Sequence, residues 1–244
     1  VGVIDDAIDY FHNDLINKVK YGYDFVNIDN DPSPDNGNQN HGTHVTGILA
    51  AEINNGTFIS GAINDTIYFA KIADFNNNIL ISAATNAINQ FSTNDRLRTY
   101  NMSFGSLAPN HLFEIAINNS WNKGKLPIAA SGNSNNSIKT YPAAFENVIS
   151  VSAVGVSNNF DYIPASYSNF GQWIDISAPG GELSTNFGII SLFPNNSYYS
   201  TQGTSMAAPF VTGVAALIFA NNPFLTNIEA RNILLSQVWD MGAN

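Results

Sequence analysis

Short apolar runs alternate along the chain with longer segments in which apolar residues recur at helical spacing. This alternation is typical of a doubly wound α/β fold, with a mostly parallel central sheet and helices on both faces. Strands are predicted at 1–4, 67–72, 99–103, 126–130 and 148–154, and helices at 44–53, 80–91, 112–122, 205–220 and 226–238. Short strands and turns are predicted at 162–199. No linker or repeat interrupts residues 1–244, so the sequence predicts a single domain.

The string GTSMAAP places Ser205 between a glycine turn and the apolar helix predicted from residue 210. Pro209 fits the first turn of a helix, where backbone N–H groups have no partner within the helix. Those N–H groups and the helix dipole would stabilise a negative oxygen formed next to Ser205. Ser205 is therefore a candidate nucleophile. Taken alone, the string favours an ordinary serine helix cap, which is the commoner role for a serine before an apolar helix.

Two other residues supply what a serine nucleophile needs. Asp5 follows the apolar run 1–4, at the carboxyl end of a predicted strand, where open α/β sheets place their chemistry. His41, in NHGTHVTG, lies just before a predicted apolar helix. Because a hydroxyl is a poor nucleophile at neutral pH, it needs a base with a pKa of about 6.5 and a carboxylate that orients the base. His41 and Asp5 fit these two roles.

Other interpretations of these residues remain open from the residues alone. Asp5 and Asp6 are compatible with a turn after a strand, and His41 with His44 could form a metal-binding pair. Zinc sites use about three or four protein ligands, and the chain has no cysteine. A structural role for His44, packed on its own helix, is therefore the preferred prediction.

The candidate residues occur in the order Asp, His, Ser, in the strings VGVIDDAID, HGTHVTG and GTSMAAP. With these strings, the chain resembles over nearly its whole length the subtilisin-like serine proteases, the subtilases. The resemblance implies a triad of Asp5, His41 and Ser205. It also implies that Asn133, in AASGNSN, donates to the oxyanion; alone, that string would indicate only a Gly-Asn turn. The implied activity is a serine endopeptidase that works through an acyl-enzyme. The alternatives are a catalytically silent peptide-binding module and a peptide ligase or cyclase.

The strings NMSFG and ASGN lie at the carboxyl ends of two predicted strands. The resemblance implies that they bind an extended polypeptide substrate in β-strand fashion. The predicted substrate-binding residues are Ser103, Phe104, Gly105, Ala130, Ser131 and Gly132. Ser134 and Thr140 are uncharged and are expected near the pocket floor, so no strong preference for a basic substrate residue is predicted. The resemblance also implies a cis bond between Tyr141 and Pro142.

The residues after Asp5 depart from the family pattern of a small hydroxyl residue followed by glycine. Ala7 stands at the glycine position, where a positive φ would make alanine strained by about 1 kcal/mol or more. Asp6 stands at the hydroxyl position and adds a second negative charge. Because consecutive strand residues point to opposite faces, the Asp6 side chain is expected to diverge from the site.

Composition limits the classes of partner. The 244 residues are 44% hydrophobic, enough to bury one large core, and the net charge is −10 with nine Lys plus Arg. Scattered basic residues and a negative charge argue against nucleic acid and anionic membranes as partners. The apolar helix at 210–220 is too short to cross a membrane, which takes about 20 residues. A monomer that needs no cofactor for its chemistry is predicted.

The resemblance also concerns calcium, secretion and processing. Subtilases often bind structural calcium, and Asp14 with Asn54 and Asn55 would supply part of such a site. The predicted set is incomplete, since Ca²⁺ takes about six to eight oxygens, so the metal ligands stay unassigned. The resemblance implies secretion and removal of a propeptide, although no signal peptide is seen in the sequence. The chain is expected to lack the family's usual N-terminal and C-terminal segments.

Overall fold

The computed structural model describes residues 1–57 and 59–241. Its helices are α1 (His41–Ala50), α2 (Ile81–Thr93), α3 (His111–Asn122), α4 (Thr204–Asn221) and α5 (Asn227–Ser236). Its strands are β1 (Gly2–Asp5), β2 (Val19–Asp24), β3 (Ile67–Lys71), β4 (Thr99–Met102), β5 (Leu126–Ala130), β6 (Ile149–Val156), β7 (Tyr162–Pro164), β8 (Ile176–Pro179), β9 (Ile189–Phe193) and β10 (Ser197–Thr201).

One mixed sheet, mostly parallel, forms the centre of the fold. Its strand order is β2-β3-β1-β4-β5-β6-β7, with β8 paired to β6. All of its pairs are parallel except β6 with β7, and β9 and β10 form a separate antiparallel hairpin. The predicted doubly wound α/β class is confirmed. Because β1, β4 and β5 are parallel neighbours, the residues that follow them meet at one edge of the sheet.

The predicted elements agree with the structure except at two places. The five predicted strands are β1, β3, β4, β5 and β6, and four of the five predicted helices end and begin within two residues of the prediction. Helix α1, by contrast, begins at His41, three residues before the predicted start. Strand β2 was not predicted. It is half-exposed along most of its length and alternates tyrosine with lysine and glycine, so it lacks the apolar run of a buried strand.

Helix α4 is the central helix of the core. Its small buried residues Ala207, Ala208 and Ala215 lie in one hydrophobic cluster with residues of β5 and β6. Small side chains allow a helix axis to approach a sheet closely, which explains the alanines on the buried face of this helix. The helix is 18 residues long and apolar enough to cross a membrane by length and composition, but 56% of it is buried in the protein. That burial is the pattern of a core helix.

A buried ion cluster joins the segment that precedes α1 to the sheet. Lys71, in β3, is only 1% exposed, and its Nζ lies 2.9 Å from Asp24 Oδ2 and 2.8 Å from Asp35 Oδ2. Nζ also donates to Ser33 O at 3.0 Å. Burial alone would lower the pKa of Lys71, but the hydrogen bonds and charges of Asp35 and Asp24 outweigh it and raise that pKa. The lysine is therefore charged and fully paired.

We expect Lys71→Met to lower the free energy of unfolding by about 3–5 kcal/mol, because Asp24 would keep a fully buried, unpaired charge. Urea unfolding with an unchanged m-value measures the loss. Both this variant and its control, the exposed Lys20→Met, are made in a Ser205→Ala background so that the predicted protease cannot digest unfolded chain. A loss below about 1 kcal/mol would show that the cluster contributes no more than a surface ion pair.

Candidate active site

Asp5 and His41 meet at the carboxyl edge of the sheet. Asp5 is the last residue of β1 and His41 is the first residue of α1. His41 Nδ1 lies 2.7 Å from Asp5 Oδ1, with Asp5 2% exposed and the histidine side chain 35% exposed. The backbone N–H of Asp6 donates to the same Asp5 oxygen at 2.8 Å. The contact between His41 Nδ1 and Asp5 Oδ1 fixes the imidazole ring and leaves Nε2 as the nitrogen available to the neighbouring cavity.

Asp6 does not diverge from this site, so that prediction was wrong. Strand β1 ends at Asp5, and the alternation of side chains does not extend beyond it. The Asp6 carboxylate instead accepts hydrogen bonds from the backbone N–H groups of His41 (3.1 Å), Gly42 (2.6 Å) and Ala7 (2.6 Å). Asn40, which precedes α1, makes no side-chain cap bond. Asp6 therefore caps α1 from a distant part of the chain, which explains the early helix start.

Ala7 carries no backbone strain of the expected kind, because its φ is not positive. The close approach in this region belongs instead to Gly42, where a Cβ would lie 2.4 Å from Ala7 O and 3.0 Å from Asp5 Cβ. The first turn of α1 therefore rests directly on residues 5–7. This packing sets the distance between the histidine and the carboxylates.

Ser205 is the second residue of α4, and its hydroxyl does not cap the helix. Gly203 is the N-cap residue. Ser205 Oγ donates to Ser103 O at 3.2 Å, while Ser103 Oγ donates to Ser205 O at 2.9 Å. Asn101 Nδ2 in turn donates to Ser103 Oγ at 2.9 Å. These bonds join the start of α4 to the end of β4, which places the predicted nucleophile beside a predicted substrate-binding segment.

Asn133 is held by the residue that precedes Ser205. Its Oδ1 accepts from the backbone N–H and the hydroxyl of Thr204, both at 2.9 Å. Thr204 Oγ1 also accepts from Gly132 N at 3.1 Å. Gly132 has φ +103° and a Cβ there would lie 2.6 Å from Asn169 Nδ2, so this position requires glycine. Because Oδ1 is occupied in this way, Asn133 Nδ2 is oriented as a donor beside Ser205.

Two cavities meet at Ser205. One, of about 490 Å³, is lined by His41, Asn133 and Ser205 and by Phe193 and Tyr199 of the β9–β10 hairpin. The other, of about 320 Å³, is lined by the predicted substrate-binding residues Ser103, Phe104, Gly105, Ala130 and Gly132 and by Ser134 and Thr140. A larger cavity, of about 830 Å³, lies between β8 and the segment 238–241 and contains none of the predicted site residues.

Ser131 differs from the other predicted substrate-binding residues, because it is fully buried and does not line the cavity. Its carbonyl accepts from Thr140 Oγ1 at 2.7 Å and from Asn169 Nδ2 at 2.9 Å. Asn169 also accepts from Ser134 N. Sequence reasoning did not identify Asn169 or Thr204 as supports of the site. The bond between Tyr141 and Pro142 is cis, as predicted.

The charges around His41 are unbalanced. Burial opposes protonation of His41, but the charge and hydrogen bond of Asp5 and the charge of Asp6 outweigh it and raise its pKa from 6.5 to about 9. Burial, together with the charge of Asp5, raises the pKa of Asp6 to about 6. The pKa of the buried His44 is lowered to about 4 by burial, and its Nε2 lies 3.0 Å from Tyr199 O. His44 thus has the predicted structural position.

Asp5, Asp6 and His41 each offer an atom within 4.8 Å of the others, a spacing open to a metal ion. Backbone N–H groups hold the Asp6 carboxylate, and His41 Nδ1 bonds Asp5, so we interpret the three residues as a hydrogen-bonded charge cluster. At the predicted calcium position, Asp14 is buried and its Oδ1 accepts from Asn55 Nδ2 and Thr57 Oγ1. The Asn55 amide and the Thr57 hydroxyl therefore act as hydrogen-bond donors to the Asp14 carboxylate, whereas a cation would be bound by oxygen atoms. Calcium binding stays a prediction.

Known proteins share this fold and sequence. The model of the subtilase family, peptidase S8, matches residues 1–242. The thermophilic serine proteinase of Bacillus sp. strain AK1 is 41% identical over 235 residues, which are 96% of this chain and 55% of that protein. Thermitase of Thermoactinomyces vulgaris is 36% identical over 231 residues, 94% of this chain and 78% of thermitase. The chain therefore spans about half of the Bacillus relative but most of thermitase.

Solved structures give the same result. The psychrophilic protease S41 superposes with a TM-score of 0.88 at 28% identity, over 97% of this chain and 81% of that one. Sphericase superposes with a TM-score of 0.86 at 31% identity, over 97% and 82%. The chain belongs to the subtilase family, as the sequence motifs predicted. The relatives that it matches include proteins named as a serine proteinase and a subtilisin.

Proposed function

We propose that this chain hydrolyses peptide bonds through an acyl-enzyme formed on Ser205. The observation that carries the proposal is the 2.7 Å contact between His41 Nδ1 and Asp5 Oδ1, with His41 and Ser205 lining the same cavity. A buried carboxylate that holds an imidazole next to a serine hydroxyl is the arrangement that serine nucleophiles need. The relatives, which are named as serine proteinases, support the same activity.

The reaction begins when the Ser205 hydroxyl turns from Ser103 O towards His41 Nε2. Oγ attacks the substrate carbonyl carbon, and the hydroxyl proton passes to Nε2. The attack converts the carbonyl into a tetrahedral intermediate with a negative oxygen. Collapse of this intermediate breaks the C–N bond, and His41 returns the proton to the leaving amine. Water, deprotonated by the same His41, then attacks the acyl-enzyme; the bond to Ser205 Oγ breaks, the carboxylic acid product leaves and His41 returns the proton to Oγ. Asp5 keeps Nδ1 protonated and stabilises the imidazolium in both steps.

Two N–H donors are available for the oxyanion. Asn133 Nδ2 is oriented by the bonds that Thr204 makes to its Oδ1. The backbone N–H of Ser205 lies at the amino end of α4, where the helix leaves N–H groups free and its dipole is positive. Donors that are fixed before the reaction stabilise developing charge without reorganising, which is why such sites contribute strongly to catalysis.

The substrate proposed for this site is an extended polypeptide. It would lie along 103–105 and 130–132, with one side chain in the 320 Å³ cavity. That cavity is lined by uncharged residues, so we expect no strong preference for a basic residue there. Secretion, removal of a propeptide and a monomeric state belong to the same proposal. The extracellular halolysin-like protease of Natrialba magadii, 34% identical, supports secretion.

A fluorophosphonate probe tests the proposal directly. We expect the purified chain to gain one probe per molecule by intact mass, and the Ser205→Ala variant to gain none, because only an activated serine reacts. The matched control is Ser236→Ala, at an exposed residue of α5, which should be labelled like the natural chain. A folded chain that is not labelled would indicate a peptide-binding module. The product masses of a cleaved peptide separate hydrolysis, which adds one water, from cyclisation, which releases one.

A further inference from the structure

Two adjacent carboxylates end β1, and both are buried. Asp5 is 2% exposed and Asp6 is 3% exposed. Two buried carboxylates side by side repel each other, so the second one is costly unless other groups compensate for it. The triad needs only Asp5. The presence of Asp6 therefore calls for a role of its own.

Two of the three hydrogen bonds that the Asp6 carboxylate accepts come from the start of α1. Its Oδ2 accepts from the backbone N–H of His41 and its Oδ1 from that of Gly42. These are the first two residues of α1, whose amino end carries the positive end of the helix dipole. One oxygen of Asp6 also lies within 4.8 Å of a ring nitrogen of His41 and of an oxygen of the Asp5 carboxylate. Asp6 thus holds the backbone of His41 and faces its ring as a second negative charge.

No positive side chain among the described residues balances these two charges. Lys71 of β3 lies beside Asp5 in the sheet register, but its Nζ is paired with Asp24 and Asp35. The other titratable groups near the ring are His44 on α1, which lines the same cavity, and Tyr199 on the β9–β10 hairpin. From α4, the cavity that His41 lines receives Ser205 and Met206, which are uncharged. The imidazole is therefore faced by two carboxylates at neutral pH and above.

We propose that Asp6 is a positioning residue for His41: it fixes the start of α1 and, as a second anion facing the imidazole, it confines proteolysis to more alkaline pH than Asp5 alone would. This inference rests on the proposed function. A neutral His41 is needed to accept the proton of Ser205, and each negative charge close to the ring keeps the ring protonated to higher pH. The same charge stabilises the imidazolium that forms during the reaction.

The titration of Asp6 agrees with this role. Its pKa is raised to about 6, by burial first and then by Asp5, so Asp6 is ionised above that pH. The pKa of His41 is raised above its ordinary 6.5, which places its loss of a proton in the range where Asp6 is already charged. Activity should therefore rise with pH well above pH 6.5, because only the neutral form of His41 acts as the base.

The test compares the pH dependence of kcat/KM for the natural chain, Asp6→Asn and Asp6→Ser. We expect both variants to move the midpoint of the acidic limb down by about one pH unit or more, the size of effect a charge at 4–6 Å produces. On the acidic limb, below both midpoints, kcat/KM of the variants would then be about tenfold higher than that of the natural chain, if the alkaline plateau is retained. The matched control is Asp9→Asn, which removes a charge from the same loop; the Asp9 carboxylate accepts from Asn195 N and Phe11 N.

A purely structural cap gives a different result. Asp6→Asn and Asp6→Ser would then lower Tm, and they would lower kcat/KM by a factor that is the same at every pH. The midpoint of the acidic limb would stay unchanged, and that result overturns the proposal. A shift of equal size in Asp9→Asn overturns it as well. An NMR titration of the His41 ring, assigned with His41→Ala, measures the pKa without catalysis. It therefore tests Asp6 even if probe labelling contradicts the proposed protease activity.

Discussion

Ser205→Ala and His41→Ala are each expected to lower kcat by about 10⁶-fold, the loss that removal of the nucleophile or the base causes in subtilisin, and the double variant is expected to lose no more. The reason is that the two residues act as one unit. Without His41, the Ser205 hydroxyl stays protonated and bonded to Ser103 O. Without Ser205, His41 has no proton to accept.

Initial rates on a chromogenic peptide measure these losses. The fluorophosphonate probe checks that no other active serine protease contaminates the purified variants. His111→Ala is the matched control for His41→Ala, because His111 is a mostly exposed residue at the start of α3. Losses that multiply in the double variant would contradict the proposal, since they would show that the two side chains act in separate steps. A residual rate above that in water is expected from Asn133 and the backbone N–H of Ser205, which both variants retain.

Much of the site could be predicted because its residues follow strong local patterns. Asp5 comes after a buried apolar run and Ser205 stands at the head of an apolar helix. In a parallel sheet such positions gather at one edge, so the local pattern also predicts the spatial one. The predicted substrate-binding segments 103–105 and 130–132 lie at the carboxyl ends of β4 and β5 and obey the same rule.

The residues that sequence reasoning misplaced depend on contacts between distant parts of the chain. Asp6 caps α1 across 35 positions in sequence, whereas Asn40, the cap residue that the local sequence offers, makes no side-chain cap bond. The burial of Ser131, whose carbonyl accepts from Thr140 and Asn169, also depends on residues outside its own motif. Strand β2 is an edge strand with a half-exposed pattern, and among the described strands it pairs with β3 alone. Local hydrophobicity does not encode such pairings.

Asp5→Asn is expected to lower kcat by about 10⁴-fold, the loss seen when a triad aspartate becomes asparagine elsewhere. An asparagine amide can donate to His41 Nδ1, which would leave the proton on Nε2, where the ring has to accept one from Ser205. The measurement is kcat at the alkaline plateau, with Tm as the check on folding.

Asp6→Asn removes the same charge from the same cluster, but Asp6 bonds the backbone N–H of His41 and not its Nδ1. The plateau kcat of that variant should therefore fall by less than about tenfold, because the tautomer of His41 is kept and one anion still stabilises the imidazolium. The pair of variants thus separates two contributions of a carboxylate to a triad: its contact with Nδ1, which sets the tautomer, and its charge, which sets the pKa. If the two variants lost equal activity, charge alone would govern the base, and the 2.7 Å contact of Asp5 would have no special role.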